Sequence, residues 1–375
     1  MKNKNLDRIF FFGSFTFFSN GNSAYAASGS QVQLEIIKNL KNVFSSSLLY
    51  FFIFEPNKTW PFSKIYISKK NVDKFKFHSY VNIKGIRESI ILFNRIFKIF
   101  LNKPSSIFIY NISFIEALVY YLLKKWFKFK VVLFIQDVNQ ENLLQKFLNI
   151  YTFKFASNFD LLIPITSSII EDFKLPINKT ILFSGGCTEI AFSMQKIVRD
   201  QNITLLPRAV FAGRLEKYNG IDKIVEYWIR NSIQFELHIY GIGSYKSELK
   251  SKLNLNTNIK YFGLVSDWDV FNIQRHSALN FCLRYSINLN QNYFFPSKLY
   301  NLMSAPGTVL INKFNNIPEE MLKYLVLLDE NFSNLQEVLD NSSNFERDVY
   351  LKRIAWLNQS ANWSDLMISI KLKLS

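Results

Sequence analysis

One segment in the second half of the chain joins an apolar strand to a helix through a glycine and a cation. Residues 211–221 read FAGRLEKYNGI, with Gly213 and Arg214 at the turn. A guanidinium can hold two phosphate oxygens at once, and a glycine lets the backbone approach a ligand closely. The segment therefore predicts a phosphate contact made by Arg214, with Lys217 and Asn219 close by in the sequence.

A second segment of the same half is more specific. Residues 295–309 read FPSKLYNLMSAPGTV, so that Pro296 or Ser297 begins a helix, Lys298 lies in its first turn and Gly307 ends it before a buried strand. The N-terminus of a helix presents free N–H groups and a partial positive charge, which suits a diphosphate. A lysine in that turn is unfavourable unless an anion lies nearby, so Lys298 favours an anion site over a purely structural helix start.

Weaker signals follow three other predicted strands. Residues 240–244 (YGIGS) form a Gly-x-Gly turn that includes Gly241 but lacks the third glycine of a dinucleotide fingerprint. Residues 262–265 (FGLV) end another strand at Val265. In the first half, Asp137 follows the strand 131–135 and is the best carboxylate for a second substrate, with a helix cap or a plain surface acid as the alternative.

The pair Asp267 and Asp269 has the Asp-x-Asp spacing of a metal motif. It follows Ser266 at a predicted helix start, where N-capping explains the acidic residues better. The three histidines are scattered without the spacing of metal ligands. The sequence therefore predicts no metal and no cofactor.

The elements that position these residues alternate between short apolar strands and helical patterns. In the first half, strands are predicted at 8–12, 47–54, 106–110, 131–135 and 161–164, and helices at 31–42, 85–101, 112–127 and 141–156. In the second half, strands are predicted at 208–211, 236–240, 259–262, 279–282, 308–311 and 324–328, and helices at 220–231, 245–253, 267–276, 297–304 and 331–340. This alternation predicts an α/β protein with two Rossmann-like doubly wound domains facing a cleft, because such sheets bind ligands at the carboxyl ends of their strands.

Composition and charge limit the other classes of protein. Hydrophobic residues make up 49% and charged residues 20% of the 375, which favours a packed core over disorder. Cys187 and Cys282 cannot form a disulfide framework and fit a reducing compartment. The apolar run at 9–12 is too short for a signal peptide, so the N-terminus is predicted to be the first strand, and no window is long and apolar enough to span a membrane.

The net charge of +16 is uneven along the chain. Residues 1–190 hold 24 Lys and Arg against 12 Asp and Glu, whereas residues 191–375 hold 21 against 17. Basic clusters at 69–76 and 124–130 are interleaved with aromatic residues such as Trp126 and Phe127. The pattern predicts either an anionic membrane surface as a partner or a solvated basic face.

The motifs in the second half also carry a family resemblance. The order GRL…NGI, YGIG, YFGLV and FPSKLY…GTV, over residues 208–312, resembles the donor domain of retaining glycosyltransferases of family 4 and their GT-B relatives. In the first half, the stretch from Gly21 to Gln33, which includes Gly29, resembles the family's first glycine-bearing loop. The closing segment from Trp356 to Trp363 resembles the helix that crosses back to the first domain.

The resemblance implies three domain segments and a site. The segments are 1–190 on the acceptor side, 191–355 for the nucleotide sugar and 356–375 for the returning helix. The break between the two strand–helix series separately predicts a linker near 185–208. Arg214 and Lys298 are expected to stabilise the departing diphosphate, and Asp137 is expected on the acceptor side. The expected substrate-binding residues are Gly29, Lys217, Asn219, Gly241, Val265, Ser297, Leu299 and Asn301.

Two positions depart from the family pattern. Where the family often has two glutamates eight positions apart, this chain has Tyr293 and Asn301. The lysine that often follows the Gly-Arg-Leu turn is Asn219 here, and Lys217 is the candidate to replace it. Both departures bear on sugar specificity and on activity.

The resemblance implies a metal-independent, retaining glycosyltransferase with a nucleotide-diphosphate sugar as donor. The expected acceptor is a lipid-linked glycan in cell-surface polysaccharide biosynthesis, such as capsule or O-antigen, and the expected location is cytoplasmic and peripheral at the inner face of the plasma membrane. One alternative is a catalytically inactive binding or scaffold protein of the same fold, which the missing glutamates favour. A nucleic-acid-binding protein is suggested by the charge but supported by no recognition motif.

Overall fold

The computed structural model describes residues 7–15, 27–54, 60, 65, 67–68, 71–72, 75–77, 80–138, 142–200, 203–285, 291–313, 315–342 and 346–375. Gly21 and Asn22 of the predicted glycine-bearing loop, and Lys69, Lys70 and Lys74 of the first basic cluster, lie outside the described residues. The chain divides into two compact units: Met1–Ser184 with Trp363–Ser375, and Gly185–Asn362.

The first unit is built on a seven-stranded sheet in the order β4-β5-β2-β1-β7-β8-β9, parallel except for the β4–β5 pair. The strands of this sheet are β1 (Arg8–Ser14), β2 (Leu48–Phe54), β4 (Asn71–Val72), β5 (Phe75–Phe77), β7 (Ser106–Tyr110), β8 (Lys130–Ile135) and β9 (Leu161–Pro164). Two further strands, β3 (Ile67–Ser68) and β6 (Tyr80–Val81), pair in a separate antiparallel sheet. The helices of the unit are α1 (Ala27–Val43), α2 (Ile86–Asn102), α3 (Phe114–Trp126), α4 (Leu143–Ala156), α5 (Ser167–Asp172) and the C-terminal helix (Trp363–Leu374).

Helices cover both faces of this sheet, which explains its continuous apolar strands. In β1, Phe10, Phe11 and Phe12 are all buried, although successive side chains point to opposite faces. Phe11 belongs to a core shared with α1 and the C-terminal helix. On the other face, the Phe12 ring stacks on Tyr120 of α3 with centroids 6.0 Å apart.

The second unit has a six-stranded, wholly parallel sheet in the order β12-β11-β10-β13-β14-β15. Its strands are β10 (Leu206–Ala212), β11 (Glu236–Tyr240), β12 (Ile259–Gly263), β13 (Ser277–Cys282), β14 (Thr308–Ile311) and β15 (Val326–Leu327). Its helices are α6 (Glu189–Asp200), α7 (Ile221–Arg230), α8 (Lys246–Lys252), α9 (Asp267–Arg275), α10 (Lys298–Leu302), α11 (Glu319–Leu322), α12 (Leu335–Asn341) and α13 (Arg347–Ser360).

The predicted α/β class is confirmed, and both sheets have the strand order of doubly wound nucleotide-binding folds. Numbered within the second unit, the order is 3-2-1-4-5-6, and the parallel part of the first sheet repeats it from β5 to β9. The N-cap interpretation of the Asp-x-Asp pair is also confirmed, since the Ser266 hydroxyl accepts a hydrogen bond from the Asp269 N–H. No helix in the described part of the chain is both long and apolar enough to cross a bilayer.

The segment predicted as a linker differs most from expectation. Helix α6 lies inside residues 185–208, and its apolar residues Ala191, Met194 and Val198 are buried. Their spacing of three and four residues is that of a helix face packed on a core. The units change at Ser184–Gly185 and Asn362–Trp363, whereas the sequence placed the changes at 190 and 355.

Candidate nucleotide-sugar site

In the second unit, β10 and β13 are hydrogen-bonded neighbours at the centre of the sheet. The chain after β10 continues to β11 on one side, and the chain after β13 continues to β14 on the other. Such a reversal opens a crevice at the carboxyl ends of the two strands, where ligands of doubly wound sheets bind. Arg214 follows β10 and Arg284 follows β13, so both lie in segments that border this crevice.

The turn that carries Arg214 is fixed by close backbone packing against the next strand connection. The Gly213 N–H donates to the Tyr240 carbonyl at 3.0 Å, and the Leu215 N–H donates to the Ile242 carbonyl at 3.0 Å. Gly241 has φ of +128°, and a Cβ added there would lie 1.8 Å from the Gly213 carbonyl oxygen. Gly241 therefore holds the turn through the absence of a side chain, and its predicted contact with substrate stays a prediction.

Lys298 reaches the same turn from helix α10. Its Nζ donates to the Ala212 carbonyl at 3.2 Å, and a Cβ added at Gly213 would meet this Nζ at 2.9 Å. The Arg214 guanidinium is exposed, with one nitrogen 3.7 Å from the Glu216 carboxylate. The structure thus brings the two predicted phosphate-binding segments together at one end of β10, with Lys298 hydrogen-bonded to the strand end and Arg214 solvent-exposed beside Glu216.

Arg284 is a third cation at this edge, and none of the predicted motifs includes it. Its guanidinium lies between two rings, 4.2 Å from the centroid of Tyr218 and 4.8 Å from that of Phe294. One terminal nitrogen donates to the Asn219 side-chain oxygen at 3.2 Å. Its Nε is buried and has no hydrogen-bond partner among the described residues. The predicted strand at 279–282 and the rule that ligands bind after strands at the reversal could have identified this residue.

Asn219 and Lys217 have separate sets of contacts in the structure. The Asn219 amide donates to the Arg214 carbonyl at 2.9 Å while its oxygen accepts from Arg284, so Asn219 bridges the two strand connections. The Lys217 ammonium forms an ion pair with Glu248 of α8 at 3.2 Å. In this arrangement Asn219 orients the site's backbone, and Lys217 is engaged with Glu248 of α8.

Two of the remaining predicted residues of the second unit, Leu299 and Asn301, are engaged in the packing and hydrogen bonding of the unit itself. Leu299 is fully buried, and the Asn301 side-chain oxygen accepts a hydrogen bond from the Thr188 N–H at 2.9 Å. Ser297 precedes α10 without a side-chain capping bond, and Val265 is half-buried just after β12. Asn301 therefore ties α10 to the segment that enters the second unit.

A buried arginine holds the segment that follows α10. Arg353 of α13 donates to the carbonyl oxygens of Ala305, Pro306 and Gly307, which follow the helix. Burial lowers the pKa of Arg353 to about 10, so the guanidinium stays charged at neutral pH. A fixed cation facing three carbonyl groups holds the exit of α10 and, through it, the position of Lys298.

The first unit has its own polar cluster at the carboxyl ends of β7 and β8. Asn111 adopts a left-handed conformation, and its side-chain oxygen accepts from the Gln136 and Asp137 N–H groups at 2.7 and 3.2 Å. Its amide donates to the Asp137 carboxylate at 3.1 Å. Burial, reinforced by the charge of Asp137, holds the pKa of the Tyr110 hydroxyl well above its usual range. Asp137 is thus an oriented, exposed carboxylate at the edge where a ligand of this unit would bind.

Gly29 lies in helix α1 near the same edge. A Cβ added at Gly29 would be 3.8 Å from the Tyr110 hydroxyl, an ordinary contact distance. The Gly29 carbonyl accepts from the Gln33 amide at 3.2 Å, and that amide also donates to the Ser14 carbonyl at 2.6 Å. Gln33 therefore links the start of α1 to the end of β1, and it places Gly29 beside Tyr110.

Solved structures show the same fold along the whole chain. HepE of Anabaena, solved in complex with UDP, is 11% identical over 97% of this chain and 99% of its own, with a TM-score of 0.66. WaaB, a lipopolysaccharide outer core galactosyltransferase, is 15% identical over 98% and 99%, with a TM-score of 0.63. A glycosyltransferase from Rickettsia africae is 15% identical over 99% and 98%, with a TM-score of 0.64.

These likenesses and the two doubly wound sheets define the class of fold as GT-B. No protein-family model matches the chain. No curated protein sequence matches it significantly either. At identities of 11–15% the likeness establishes the fold, and the chemistry must be argued from the site itself.

Proposed function

We propose that this protein is a glycosyltransferase that transfers a sugar from a nucleotide-diphosphate sugar to a lipid-linked glycan. The observation that carries the proposal is the meeting of Arg214, Lys298 and Arg284 around the reversal point of the second sheet. Three cations at such a crevice suit a diphosphate. The chain resembles HepE, which was solved in complex with UDP and with UDP-glucose, so uridine diphosphate sugars are the first donors to test.

In the proposed reaction the bond between the anomeric carbon and the diphosphate oxygen breaks, and a bond to the acceptor oxygen forms. The departing diphosphate oxygen gains negative charge as its bond to carbon breaks, and the proton of the acceptor hydroxyl passes to this oxygen. Arg214 and Lys298 would stabilise that charge without a divalent metal, more strongly in the transition state than in the bound donor. Retention of the anomeric configuration follows from the resemblance to family 4, and Asp137 would orient the acceptor hydroxyl.

The experiment begins with a thermal-shift screen against a panel of nucleotide sugars, followed by turnover of the donor that stabilises the protein most. Arg214→Ala and Lys298→Ala should each lower turnover by roughly 10²–10³-fold while donor affinity falls less. Arg214→Lys should stay impaired, because an ammonium cannot make the paired guanidinium contact.

Lys217→Ala is the matched control, since Lys217 lies in the same turn but pairs with Glu248. It should keep most of the activity. If both Arg214→Ala and Lys298→Ala retain full activity, the diphosphate is bound elsewhere and the site assignment fails.

A second candidate is a protein of the same fold that binds a nucleotide sugar without turning it over. The observation in its favour is Asn301, which stands where the family often has a glutamate and whose side-chain oxygen is already occupied by the Thr188 N–H. Binding of a donor with no release of nucleoside diphosphate in the presence of any acceptor lipid would support this candidate.

The proposed setting is the cytoplasmic face of the plasma membrane in cell-surface polysaccharide synthesis, including capsule or O-antigen. The first 190 residues hold 24 basic and 12 acidic residues, and this positive charge supports attraction to anionic lipids. Limited proteolysis offers a check on the predicted domain organisation, which remains a proposal. A first cut that donor slows is expected within residues 185–208 but outside helix α6, whose apolar face is buried. Cutting inside 208–328 would contradict the proposal.

A further inference from the structure

Helices α2, α3 and α4 form one layer on the first sheet. Arg95 of α2 pairs with Glu116 of α3 at 2.6 Å, and Phe114 of α3 packs on Phe155 of α4 with ring centroids 6.0 Å apart. The longest of the three, α2, has 17 residues and is therefore about 25 Å long. With neighbouring helices about 10 Å apart, the layer presents a broad, continuous face.

The outer face of this layer exposes an unusual number of large apolar side chains. Apolar residues lie on it with helical spacing on each helix. They are Ile86, Phe93, Phe97, Phe100 and Leu101 on α2, Ile115, Leu122 and Trp126 on α3, and Leu143, Leu144, Phe147, Ile150 and Tyr151 on α4. These three helices hold 13 of the 28 exposed large hydrophobic residues found in the described part of the chain.

Helix α4 shows most clearly that the face is selected for a partner. Its inner side buries Phe153 and Ala156 together with the polar residues Asn149 and Thr152, whereas Leu143 and Phe147 on the outer side are 82% and 55% exposed. A surface helix of a soluble protein normally presents polar residues on its outer side. An apolar face of this size is an interaction surface rather than an ordinary solvated one.

The charges on this face identify the partner. The acids of the three helices lie at their N-termini and are paired, Glu88 with Arg87 and Glu116 with Arg95. Exposed lysines lie among the apolar side chains and at their border, namely Lys103, Lys125, Lys128, Lys146 and Lys154. Lysine is depleted in protein–protein interfaces, whereas lysines beside tryptophan and leucine are typical of helices that lie in an anionic bilayer surface.

We propose that the outer face of α2, α3 and α4 is a bilayer-insertion surface, in which the apolar side chains enter an anionic membrane and the lysines contact its headgroups. The inference deepens the membrane location proposed above and rests on the proposed lipid-linked acceptor for its biological purpose. It adds a property that electrostatic attraction lacks, namely a component of binding that persists at high salt.

The test is co-sedimentation of the full chain with phosphatidylcholine vesicles that contain phosphatidylglycerol, at low salt and at 1 M salt. The apolar variant carries Leu143→Ser, Phe147→Ser and Ile150→Ser, all at exposed positions that contribute little to the core. It should lose roughly tenfold or more of the salt-resistant binding. The charge variant, with Lys125→Gln, Lys128→Gln and Lys146→Gln, should lose mainly the salt-sensitive part.

The matched control replaces exposed apolar residues of the second unit, Leu255→Ser and Trp268→Ser, and should bind as the unmodified chain does. Quenching of Trp126 fluorescence by brominated lipid, absent in Trp126→Phe, should place the side chain in the bilayer. Unchanged vesicle binding by the apolar variant would overturn the proposal. If that variant instead changes the oligomeric state in gel filtration, the face binds a second copy of the chain.

Donor turnover separates this inference from the proposed function. The apolar variant should hydrolyse or transfer from the nucleotide sugar at an unchanged rate with a water-soluble acceptor, because its substitutions lie outside the second unit. Loss of vesicle binding with intact turnover confirms insertion and leaves the enzyme assignment standing. If the unmodified chain binds vesicles through these apolar side chains but turns over no donor, the proposed function is wrong and the insertion surface still stands.

Discussion

Alanine at Gly213 should weaken catalysis by displacing Lys298 while leaving the fold almost untouched. The added Cβ would meet the Lys298 Nζ at 2.9 Å, so the ammonium must retreat by about 0.5 Å to reach ordinary van der Waals contact. The clashing atom is the end of a flexible side chain, and the φ of Gly213 lies outside the left-handed region. The free energy of unfolding should therefore change by less than about 1 kcal/mol.

The effect on activity follows from the displacement of the charge. At an effective dielectric constant of about 20, moving a unit charge from about 2.8 to about 3.3 Å from its counter-charge costs about 0.9 kcal/mol. That corresponds to about a fivefold loss in kcat/KM, far smaller than the 10²–10³-fold loss predicted for Lys298→Ala.

A double-mutant cycle is the assay that checks this reasoning. Nucleoside diphosphate release is measured for the unmodified chain, Gly213→Ala, Lys298→Ala and the double variant. Because Gly213→Ala acts through the Lys298 ammonium, it should have no further effect once that ammonium is absent. Fully additive losses, or a fivefold loss in the Lys298→Ala background, would refute the proposed coupling.

Three further outcomes are expected. Arg284→Ala should weaken UDP binding by about 10–100-fold in calorimetry, the value of a charged hydrogen bond, whereas a residue outside the site would leave it unchanged. Gly241→Ala should lower the melting temperature far more than Gly263→Ala, because both glycines have positive φ but only the former places a Cβ against backbone, and equal losses would contradict this. Burial lowers the pKa of His238, whose ring contacts Glu236, so the unfolded chain binds the proton more readily than the folded one. Stability should therefore fall as the pH drops below about 6.5. Urea midpoints of the unmodified chain and His238→Gln should converge as the pH drops, and parallel curves would refute the role of His238 in this pH dependence.

The fold class and much of the proposed donor segment could be predicted from the order of residues along the chain. Alternation of apolar strands and helical patterns predicted two doubly wound sheets, because a helix that crosses over between two strands lets those strands pair in parallel. Gly213 could be predicted as a site residue because it lies in a turn after a strand, and Lys298 because it lies at the start of a helix. The contact of Lys298 with the end of β10 agrees with that selection.

Arg284 shows what local patterns leave out. Its role depends on β13 lying beside β10, on the rings of Tyr218 and Phe294 around it, and on the amide of Asn219. These groups are separated along the chain and meet only after the sheet has formed. The helix α6 is a different case, because its apolar residues already repeat with the helical period in the sequence, and the segment was interpreted as a linker instead.

Helix α4 marks the same division between local pattern and tertiary packing. Its apolar and polar residues predicted a helix, because their spacing repeats with the helical period. The same spacing could not determine which face would be covered, since apolar residues are present on both sides. Packing on the sheet buried Phe153 and Ala156 together with Asn149, and left Leu143 and Phe147 exposed. Burial is decided by the neighbours that a helix meets in the folded chain, and those neighbours are fixed only by the tertiary structure.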